Sequence, residues 1–255
     1  MGRGGFTGAM DDHRLAAALA EEAGRLLLSL REGGLQGAEL GQAGDREANA
    51  LILDALRKFR PEDGFLSEEC IDRPDRLHHR RVWIIDPLDG TREYMSGRDD
   101  WAVHVALAVD GRPQAGAVAV PALGRLLSTG TPQARGAPRD KPLILVSRTR
   151  EPEQAAALAE HLGAELRPMG SAGAKAAAVV AGEADLYFHA GGQHEWDNCA
   201  PVAVALAAGL HATRADGSII AYNQEDVRVP DLVIGQPALA RKAVAFLRTY
   251  SAKAG

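Results

Sequence analysis

The chain has 255 residues, of which 46% are hydrophobic and 25% charged, and a formal net charge of −5. This composition is typical of a globular protein with a sizeable core, and it excludes disordered, collagen-like and disulfide-scaffold chains. The negative charge offers no basic surface to a nucleic-acid backbone. The longest apolar run, residues 200–210, is about half of the roughly 20 residues that cross a bilayer. We therefore expect neither a nucleic acid nor a membrane as a partner.

The N-terminal residues and the cysteines indicate the cellular setting. Residues 1–6 contain no apolar stretch typical of a secretion signal, and Phe6 stands where a myristoylation signal has Ser or Thr. With only two cysteines, Cys70 and Cys199, the chain has no disulfide framework, which suits a reducing compartment. We expect a cytoplasmic protein.

The first half of the chain predicts two helices followed by several strands. Residues 12–30 place apolar side chains at helical spacing and predict an amphipathic helix. A second such pattern follows Asp45 and ends before Pro61, which places Asp45 at a helix start. Residues 110–113, Asp-Gly-Arg-Pro, indicate a hairpin between two strands. The strands predicted here are 64–67, 82–85, 101–109, 115–120 and 126–129.

The second half alternates strands with helices. Residues 131–141 are rich in Pro, Gly and Ala, and we place a boundary there between an α+β subdomain, 1–135, and an α/β subdomain, 136–255. The strands predicted after it are 143–147, 165–168, 185–189, 210–213 and 232–235, and the helices are 153–162, 175–182, 197–209 and 238–249. This alternation is typical of a sheet covered by helices. We expect a mixed α/β fold.

The most informative stretch is residues 83–91, Trp-Ile-Ile-Asp-Pro-Leu-Asp-Gly-Thr. A buried strand ends on two carboxylates, Asp86 and Asp89, and the carbonyl of Leu88 between them is a further oxygen that Mg²⁺ accepts. Gly90 permits a tight turn, and the amides of Gly90 and Thr91 open a short helix whose N-terminus favours a phosphate. An Asp-rich surface turn with a helix cap is the alternative.

Two further acidic positions occupy similar settings. Glu68-Glu69 follows a short predicted strand, and Asp197 stands at the start of a helix after Trp196. Alone, the first is more typical of a solvated pair and the second of a helix cap. Strand ends and helix starts are also where open α/β sheets place their ligand sites. Together with Asp86 and Asp89, these residues therefore predict one shared acidic site.

These motifs resemble those of the lithium-sensitive, magnesium-dependent phosphatases typified by inositol monophosphatase, fructose-1,6-bisphosphatase and 3′-phosphoadenosine-5′-phosphate phosphatase. The pattern of that family is an Asp, Glu-Glu, Asp-Pro-(Ile/Leu)-Asp-Gly-Thr, and Trp-Asp before a helix of small residues. Here Asp45, Glu68-Glu69, residues 86–91 and Trp196-Asp197 match it in order. The resemblance covers about residues 12–239. It implies a layered αβαβα sugar-phosphatase fold, inositol monophosphatase-like, of two packed subdomains.

The residues after Thr91 separate branches of this family. Residues 92–94, Arg-Glu-Tyr, resemble the CysQ branch, and residues 191–197, Gly-Gly-Gln-His-Glu-Trp-Asp, resemble actinobacterial members. Two positions depart from the family pattern. Ser67 replaces the usual Gly before Glu-Glu, and Ala208 replaces the first Gly of a closing Gly-Gly. Neither departure removes a candidate ligand.

The resemblance implies a role for each acidic residue. Glu68, Asp86 and the Leu88 carbonyl are similar to the ligands of one metal ion. Asp86, Asp89 and Asp197 are similar to those of a second. Asp45 with Thr91 resembles the pair that orients the attacking water, and about two to three Mg²⁺ ions are implied, with inhibition by Li⁺.

Substrate contacts are predicted from the second half of the chain. Gly170, Ser171 and Lys175 lie between a predicted strand and helix, where amides could face a ribose or a second phosphate. An ordinary tight connection is the alternative, and Lys175 is equally compatible with an exposed lysine at a helix start. Glu195, with His194, is expected to line the pocket, although a lone His near a site is more often structural.

The function implied by the resemblance is that of a phosphoric monoester hydrolase, a 3′(2′),5′-bisphosphate nucleotidase. Its expected substrate is 3′-phosphoadenosine 5′-phosphate, which would lose its 3′-phosphate to give AMP in sulfate assimilation. The same chemistry on inositol monophosphate or fructose 1,6-bisphosphate is an alternative, and a non-catalytic metabolite sensor is another. The resemblance also suggests a homodimer.

The roles of the two cysteines have two possible interpretations. Cys70 follows Glu69 directly, and Cys199 lies two residues after Asp197. A thiol with a lowered pKa beside a metal would oxidise readily and disturb these ligands. The alternative is that each cysteine is a small buried apolar residue.

Overall fold

The structure is a computed structural model, and it describes residues 10–149 and 151–254. Residues 1–6, on which the absence of a secretion or lipid signal was predicted, lie outside the described residues. Within the described part of the chain, no helix combines the length and the apolar character needed to cross a membrane.

The described residues form seven α-helices and ten strands. The helices are α1 (Asp12–Glu32), α2 (Gly37–Phe59), α3 (Thr91–Met95), α4 (Ala155–Leu162), α5 (Ala172–Val180), α6 (Glu195–Ala207) and α7 (Pro237–Ala254). The strands are β1 (Gly64–Ser67), β2 (Arg81–Asp89), β3 (Ala102–Val109), β4 (Arg112–Val120), β5 (Arg125–Ser128), β6 (Leu143–Ser147), β7 (Glu165–Met169), β8 (Leu186–His194), β9 (His211–Thr213) and β10 (Arg228–Gly235). Short 3₁₀ helices occupy Pro74–His78 and Pro121–Leu123.

The first sheet has the strand order β1-β2-β3-β4-β5. β1 pairs with β2 in parallel, and the remaining neighbours are antiparallel. Helices α1 and α2 cover one face, on which Trp83, Ile85, Val103 and Val105 are buried. Because side chains of a strand alternate between its two faces, the intervening residues, such as Ile84, face the interior of the molecule.

The second sheet has the order β7-β6-β8-β10-β9. β6 pairs in parallel with both β7 and β8, whereas β10 pairs antiparallel with both β8 and β9. One face packs with α4 and α7 around Ile144, Phe188 and Val233. The opposite face, with Leu145 and Tyr187, shares a core with the first sheet.

Helices α5 and α6 lie between the two sheets. Residues of both helices belong to the core that joins the sheets, and Gly116 of β4 lets α6 approach closely, since a Cβ there would lie 2.9 Å from the Cβ of Ala203. The layers are therefore α1 and α2, the first sheet, α5 and α6, the second sheet, and α4 and α7. The predicted αβαβα fold is confirmed.

The prediction that Asp45 begins a helix is wrong. Helix α2 begins at Gly37, so Asp45 lies in its interior. Three glycines, Gly37, Gly41 and Gly44, lower the helix propensity of this first part, which hid it from the sequence pattern. The close packing that they permit outweighs the propensity, because a Cβ on Gly44 would lie 3.0 Å from side-chain atoms of Leu27 and Leu88.

The helix predicted from residue 175 also begins earlier, at Ala172. The prediction missed its first turn because Gly173 and the preceding Gly170-Ser171 indicate a turn. The segment predicted to join the two halves, residues 131–141, contains neither helix nor strand. The division at 135/136 thus falls between the last strand of one sheet and the first of the other, and it stays a prediction as a domain boundary.

This joining segment is fastened to the second sheet by Asp185. Asp185 is buried just before β8, and its carboxylate accepts the backbone N–H groups of Arg139 at 2.9 Å and Leu143 at 2.8 Å. It therefore supplies acceptors where the chain enters β6.

We predict that Asp185→Ala lowers the free energy of unfolding by about 2 kcal/mol, because backbone donors lose their buried acceptor. Equilibrium urea unfolding followed by circular dichroism measures the change. Glu165→Ala is the matched control, since it removes an exposed carboxylate paired with Lys141, and we expect no measurable change from it. Wild-type stability of Asp185→Ala would contradict the role given to Asp185.

Candidate active site

A cleft of about 340 Å³ opens where the two sheets meet. Its lining comes from the ends of β1, β2, β6 and β8 and from the starts of α3, α5 and α6. The lining residues are Glu68, Asp89, Gly90, Thr91, Arg92, Glu93, Ser147, Thr149, Ser171, Ala172, Lys175, Tyr187, His189, Gly192, Gln193, His194 and Asp197. Both halves of the chain therefore contribute to one site.

Three predicted ligands converge at this cleft. Asp86, Asp89 and Asp197 each offer a carboxylate oxygen, and these oxygens all lie within 4.8 Å of one another. Asp86 and Asp89 are three positions apart, which would put them on opposite faces of a regular strand. The pairing of β2 with β3 is irregular between them, and such an irregularity re-aims side chains. The strand thus delivers both carboxylates to the same place.

Backbone contacts hold the turn between these residues. The Leu88 amide donates to Asp86 Oδ1 at 3.0 Å, and the Thr91 hydroxyl donates to the Leu88 carbonyl at 3.1 Å. Gly90 has a φ of 91°, which only glycine adopts without strain. The local sequence therefore determines the shape of the turn.

Glu68 follows β1 and lies beside this turn. Its amide donates to the Ile85 carbonyl at 3.2 Å. Burial, together with the charges of Asp197 and Asp89, raises the pKa of Glu68 to about 7. Burial and the charges of Glu68 and Asp89 likewise hold the pKa of Asp86 well above its ordinary value. These carboxylates repel one another in the absence of a compensating cation.

Asp89 is the exception in this group. Burial alone would raise its pKa, but His104, Ser171 and the Gly173 amide together lower it. The Ser171 hydroxyl donates to Asp89 Oδ2, the Gly173 amide donates to the same oxygen at 2.8 Å, and His104 Nε2 lies 3.3 Å away. Asp89 is therefore held as a carboxylate.

His104 is a residue of the site that the sequence reasoning missed. It lies in the centre of β3, and its Nδ1 is 3.0 Å from the Trp196 carbonyl oxygen. Burial opposes its charge, yet the nearby Asp89 carboxylate raises the pKa of His104. A single polar residue within the apolar strand 102–109 was the available signal. His104 joins the first sheet to the helix that carries Asp197.

Asp197 lies in the first turn of α6, as predicted. Its Oδ2 accepts the His194 amide at 2.6 Å, so the carboxylate also fixes the start of the helix. Its side chain is 26% exposed, which leaves it open to the cleft. The capping role and the ligand role are therefore compatible.

Asp45 of α2 and Thr91 of α3 lie next to each other. Burial, followed by the charge of Glu69, raises the pKa of Asp45 to about 7, while contact with the Thr91 hydroxyl lowers it in part. Gly41 lets α2 approach α3 closely, because a Cβ there would lie 3.1 Å from Thr91 Cγ2. The interior position of Asp45 in α2 thus brings it to Thr91.

The predicted substrate contacts divide into two groups. Gly90, Thr91, Ser171 and Lys175 line the cleft, whereas Gly170 and Glu195 are not among its lining residues. The Gly170 amide donates to Asp100 Oδ2 at 2.8 Å. The Glu195 carboxylate accepts the amides of Asn223 and Gln224 at 2.7 and 2.8 Å. Both residues thus bind other parts of the chain.

Lys175 is buried rather than exposed at a helix start. Its Nζ donates to the carbonyls of Met169, Gly170 and Ser171 at 3.3, 3.1 and 2.6 Å, which matches the three donors of an ammonium group. Burial lowers the pKa of Lys175 to about 8. Lys175 therefore holds the turn from which Ser171 reaches Asp89.

Ser67 and the two cysteines also have definite environments. The Ser67 hydroxyl donates to Asn49 Oδ1 at 2.7 Å, so this departure from the family pattern ties β1 to α2. Cys199 is buried, and burial raises the pKa of its thiol well above the usual range, which favours the packing explanation. Cys70 is exposed, and Asn49 Nδ2 lies 3.5 Å from its sulfur.

The donor set suits a hard divalent cation. The cluster offers three carboxylate oxygens, from Asp86, Asp89 and Asp197, and hard cations such as Mg²⁺ prefer oxygen ligands. Burial raises the pKa values of Asp86 and Glu68, and the charges of neighbouring carboxylates raise them further. The site could therefore hold a metal ion.

Comparison with known proteins agrees with this geometry. The inositol monophosphatase family matches residues 13–251. The chain is 48% identical to a 3′-phosphoadenosine 5′-phosphate phosphatase of Mycobacterium leprae over 94% of each chain. It is 31% identical to the 3′(2′),5′-bisphosphate nucleotidase CysQ of Escherichia coli, over 72% of this chain and 80% of the relative.

A solved structure shows the same architecture. The crystal structure of CysQ from Bacteroides thetaiotaomicron superposes with a TM-score of 0.79 at 25% identity, over 88% of this chain and 97% of that one. Fold, acidic site and sequence similarity over nearly the whole length lead to one assignment. This chain belongs to the inositol monophosphatase family.

Proposed function

We propose that this protein is a Mg²⁺-dependent phosphoric monoester hydrolase that removes the 3′-phosphate of 3′-phosphoadenosine 5′-phosphate to give AMP. The main support for the proposal is that oxygens of Asp86, Asp89 and Asp197 lie within 4.8 Å of one another. The chain is also 48% identical to a 3′-phosphoadenosine 5′-phosphate phosphatase. The cleft of about 340 Å³ has the size of a small-molecule site. The proposed role is in sulfate assimilation.

The proposed metal ligands rest on the family resemblance and, for Asp86, Asp89 and Asp197, also on the convergence of their oxygens. Glu68, Asp86 and the Leu88 carbonyl would hold one ion, and Asp86, Asp89 and Asp197 a second, with a third as the upper limit. Bound Mg²⁺ would neutralise the phosphate, lower the pKa of a water molecule and stabilise the leaving oxygen. The carboxylates of Asp86, Asp89 and Asp197 are already close together in the structure.

The residues around the cluster have separate proposed tasks. The Thr91 hydroxyl donates a hydrogen bond to the Leu88 carbonyl, and its oxygen would accept a hydrogen bond from the attacking water. Asp45, whose pKa is raised to about 7, suits the role of proton acceptor near neutral pH. The pair therefore orients and deprotonates the nucleophile.

Substrate binding is proposed for the start of α3 and the turn before α5. The amides of Gly90 and Thr91 lie at the beginning of α3 and would donate to phosphate oxygens. Ser171 and Lys175 border the same cleft from the opposite half. The Lys175 ammonium is engaged by three carbonyls, so we assign it to shaping the turn rather than to direct contact with a phosphate.

We further propose a cytoplasmic homodimer. The absence of a disulfide framework among the two cysteines supports the first part. The second part rests on the family resemblance.

The substrate proposal is tested by phosphate release from 3′-phosphoadenosine 5′-phosphate, inositol 1-phosphate and fructose 1,6-bisphosphate, each with Mg²⁺ and with a chelator. We expect activity only with Mg²⁺ and a kcat/KM at least about tenfold higher for the nucleotide. A tenfold preference for inositol 1-phosphate would contradict the substrate, and full activity in chelator would contradict the metal.

The raised pKa values predict a pH-dependent response to Mg²⁺. In the metal-free protein, protonated Glu68 and Asp45 favour the folded state, and this contribution is lost as pH rises through about 7. A ligand must be ionised to bind metal. We therefore expect the increase in melting temperature caused by Mg²⁺ to be small at pH 5.5 and larger at pH 8.

Differential scanning fluorimetry at both pH values measures this response. Glu68→Gln is the matched variant, because it retains the shape of the side chain but does not titrate. It should respond to Mg²⁺ less than wild type at pH 8. A wild-type response that is equal at the two pH values would argue against Glu68 as a ligand.

A further inference from the structure

The segment that follows β1 contains an arginine buried to an unusual degree. Residues 68–80 carry Glu68 and Glu69 and include the 3₁₀ helix Pro74–His78. Within that helix Arg76 is 3% exposed, and arginine is rarely so buried unless it is paired. Its Nε and Nη2 donate to the two carboxylate oxygens of Asp72 at 2.6 and 2.8 Å.

Arg76 also reaches across to the second half of the chain. Its Nη1 donates to Asn223 Oδ1 at 2.7 Å and its Nη2 to the Gln224 carbonyl at 2.9 Å. In return, Asn223 Nδ2 donates to the Arg76 carbonyl at 3.2 Å. Asn223 has a φ of 58°, an uncommon conformation that is held by these contacts. The guanidinium therefore fixes the connection between β9 and β10.

Glu195 continues this connection to the metal site. Its carboxylate, which is 1% exposed, accepts the backbone amides of both Asn223 and Gln224. Glu195 lies in the first turn of α6, two residues before Asp197. We call Arg76, Asp72, Asn223, Gln224 and Glu195 the Arg76 clamp. It is a continuous set of hydrogen bonds from the Glu68 segment to the Asp197 helix.

The clamp joins two segments that carry carboxylates of the same charge. Glu68 and Asp197 belong to different halves of the chain, yet both line the cleft, where like charges repel each other. Residues that hydrogen-bond directly to a metal ligand change metal affinity by about 10- to 100-fold when they are mutated, and the clamp acts one step further away, through the segments that carry the proposed ligands. Because the clamp joins the two segments that carry the proposed ligands, we expect its disruption to lower the affinity of the site for metal.

We propose that the Arg76 clamp holds the Glu68 segment against the start of α6 and thereby sets the affinity of the site for Mg²⁺. Its members are positioning residues, because they bind one another and are not among the residues that line the cleft. This inference rests on the proposed metal-dependent function. It also gives Glu195 a role different from the pocket-lining one that the sequence suggested.

Two variants test the clamp. Asn223→Gly removes the side-chain bonds to Arg76 while keeping a residue that adopts positive φ without strain. Arg76→Lys retains the charge but cannot make the forked contacts of a guanidinium. Arg214→Lys is the matched control, since Arg214 forms a similar forked pair with Asp231, at 2.8 and 2.9 Å, and neither residue lines the cleft.

Mg²⁺ binding is measured by isothermal titration calorimetry, with folding checked by circular dichroism and kcat determined at saturating Mg²⁺. We expect the dissociation constant for Mg²⁺ to rise about tenfold in Asn223→Gly and Arg76→Lys. It should be unchanged in Arg214→Lys, and kcat at saturating Mg²⁺ should stay within about twofold of wild type in all three.

The possible outcomes distinguish a failure of the clamp from a failure of the proposed metal site. Wild-type Mg²⁺ affinity in a folded Asn223→Gly protein overturns the clamp and leaves the proposed function intact. An equal loss of affinity in Arg214→Lys also overturns it, because the effect would then be one of general stability. Absence of Mg²⁺ binding in wild type overturns the proposed metal site and the clamp together.

Discussion

The repulsion among the carboxylates that converge at the junction of the two sheets is the constraint on which the rest of this structure depends. Carboxylate oxygens of Asp86, Asp89 and Asp197 lie within 4.8 Å of one another. Burial and the charges of Asp197 and Asp89 raise the pKa of Glu68. Such a group is unfavourable without a cation. The scaffold keeps it assembled through β2, the turn at Gly90, and the first turn of α6.

The carboxylates are not equivalent, and this difference has a structural cause. Asp89 receives a hydroxyl, an amide and an imidazole from three elements, so its pKa is lowered. Asp86 and Glu68 lack comparable compensation, and their pKa values are raised. Asp89 is therefore the proposed ligand already held as a carboxylate, whereas Glu68 and Asp86 must be ionised before they can bind a metal.

The contacts that organise Asp89 also join the two halves of the molecule. Ser171 and Gly173 belong to the second half, whereas Asp89 and His104 belong to the first. Gly173 is essential to this junction, because a Cβ there would lie 2.2 Å from His104 Nε2. Lys175 supports the same turn from behind by binding its carbonyls. The packing of the two sheets and the chemistry of the site therefore depend on the same residues.

Much of this arrangement could be predicted from local sequence. The run 83–91 combines an apolar strand with Asp86, Asp89 and Gly90, and strand, turn and ligands are all encoded within nine residues. The layered fold followed from the order of the strands and helices and from the family resemblance.

Other features depend on long-range packing that no local pattern reports. The first part of α2 forms despite its glycines because Gly44 lies against Leu27 and Leu88. His104 gains its role only when β3 is placed beside β2 and α6. Likewise, the sequence suggested that Glu195 lines the pocket, whereas the structure shows it binding the amides of residues 223 and 224, almost thirty positions away.

The position of a bound ion tests most directly whether the converging carboxylates bind a metal. Crystals grown with Mn²⁺ in place of Mg²⁺ would reveal the metal by anomalous scattering, and the two ions share a preference for oxygen ligands. We predict an anomalous peak within coordination distance of Asp86, Asp89 and Asp197, the three residues whose oxygens already converge. A peak elsewhere, with these three carboxylates free of metal, would contradict the account.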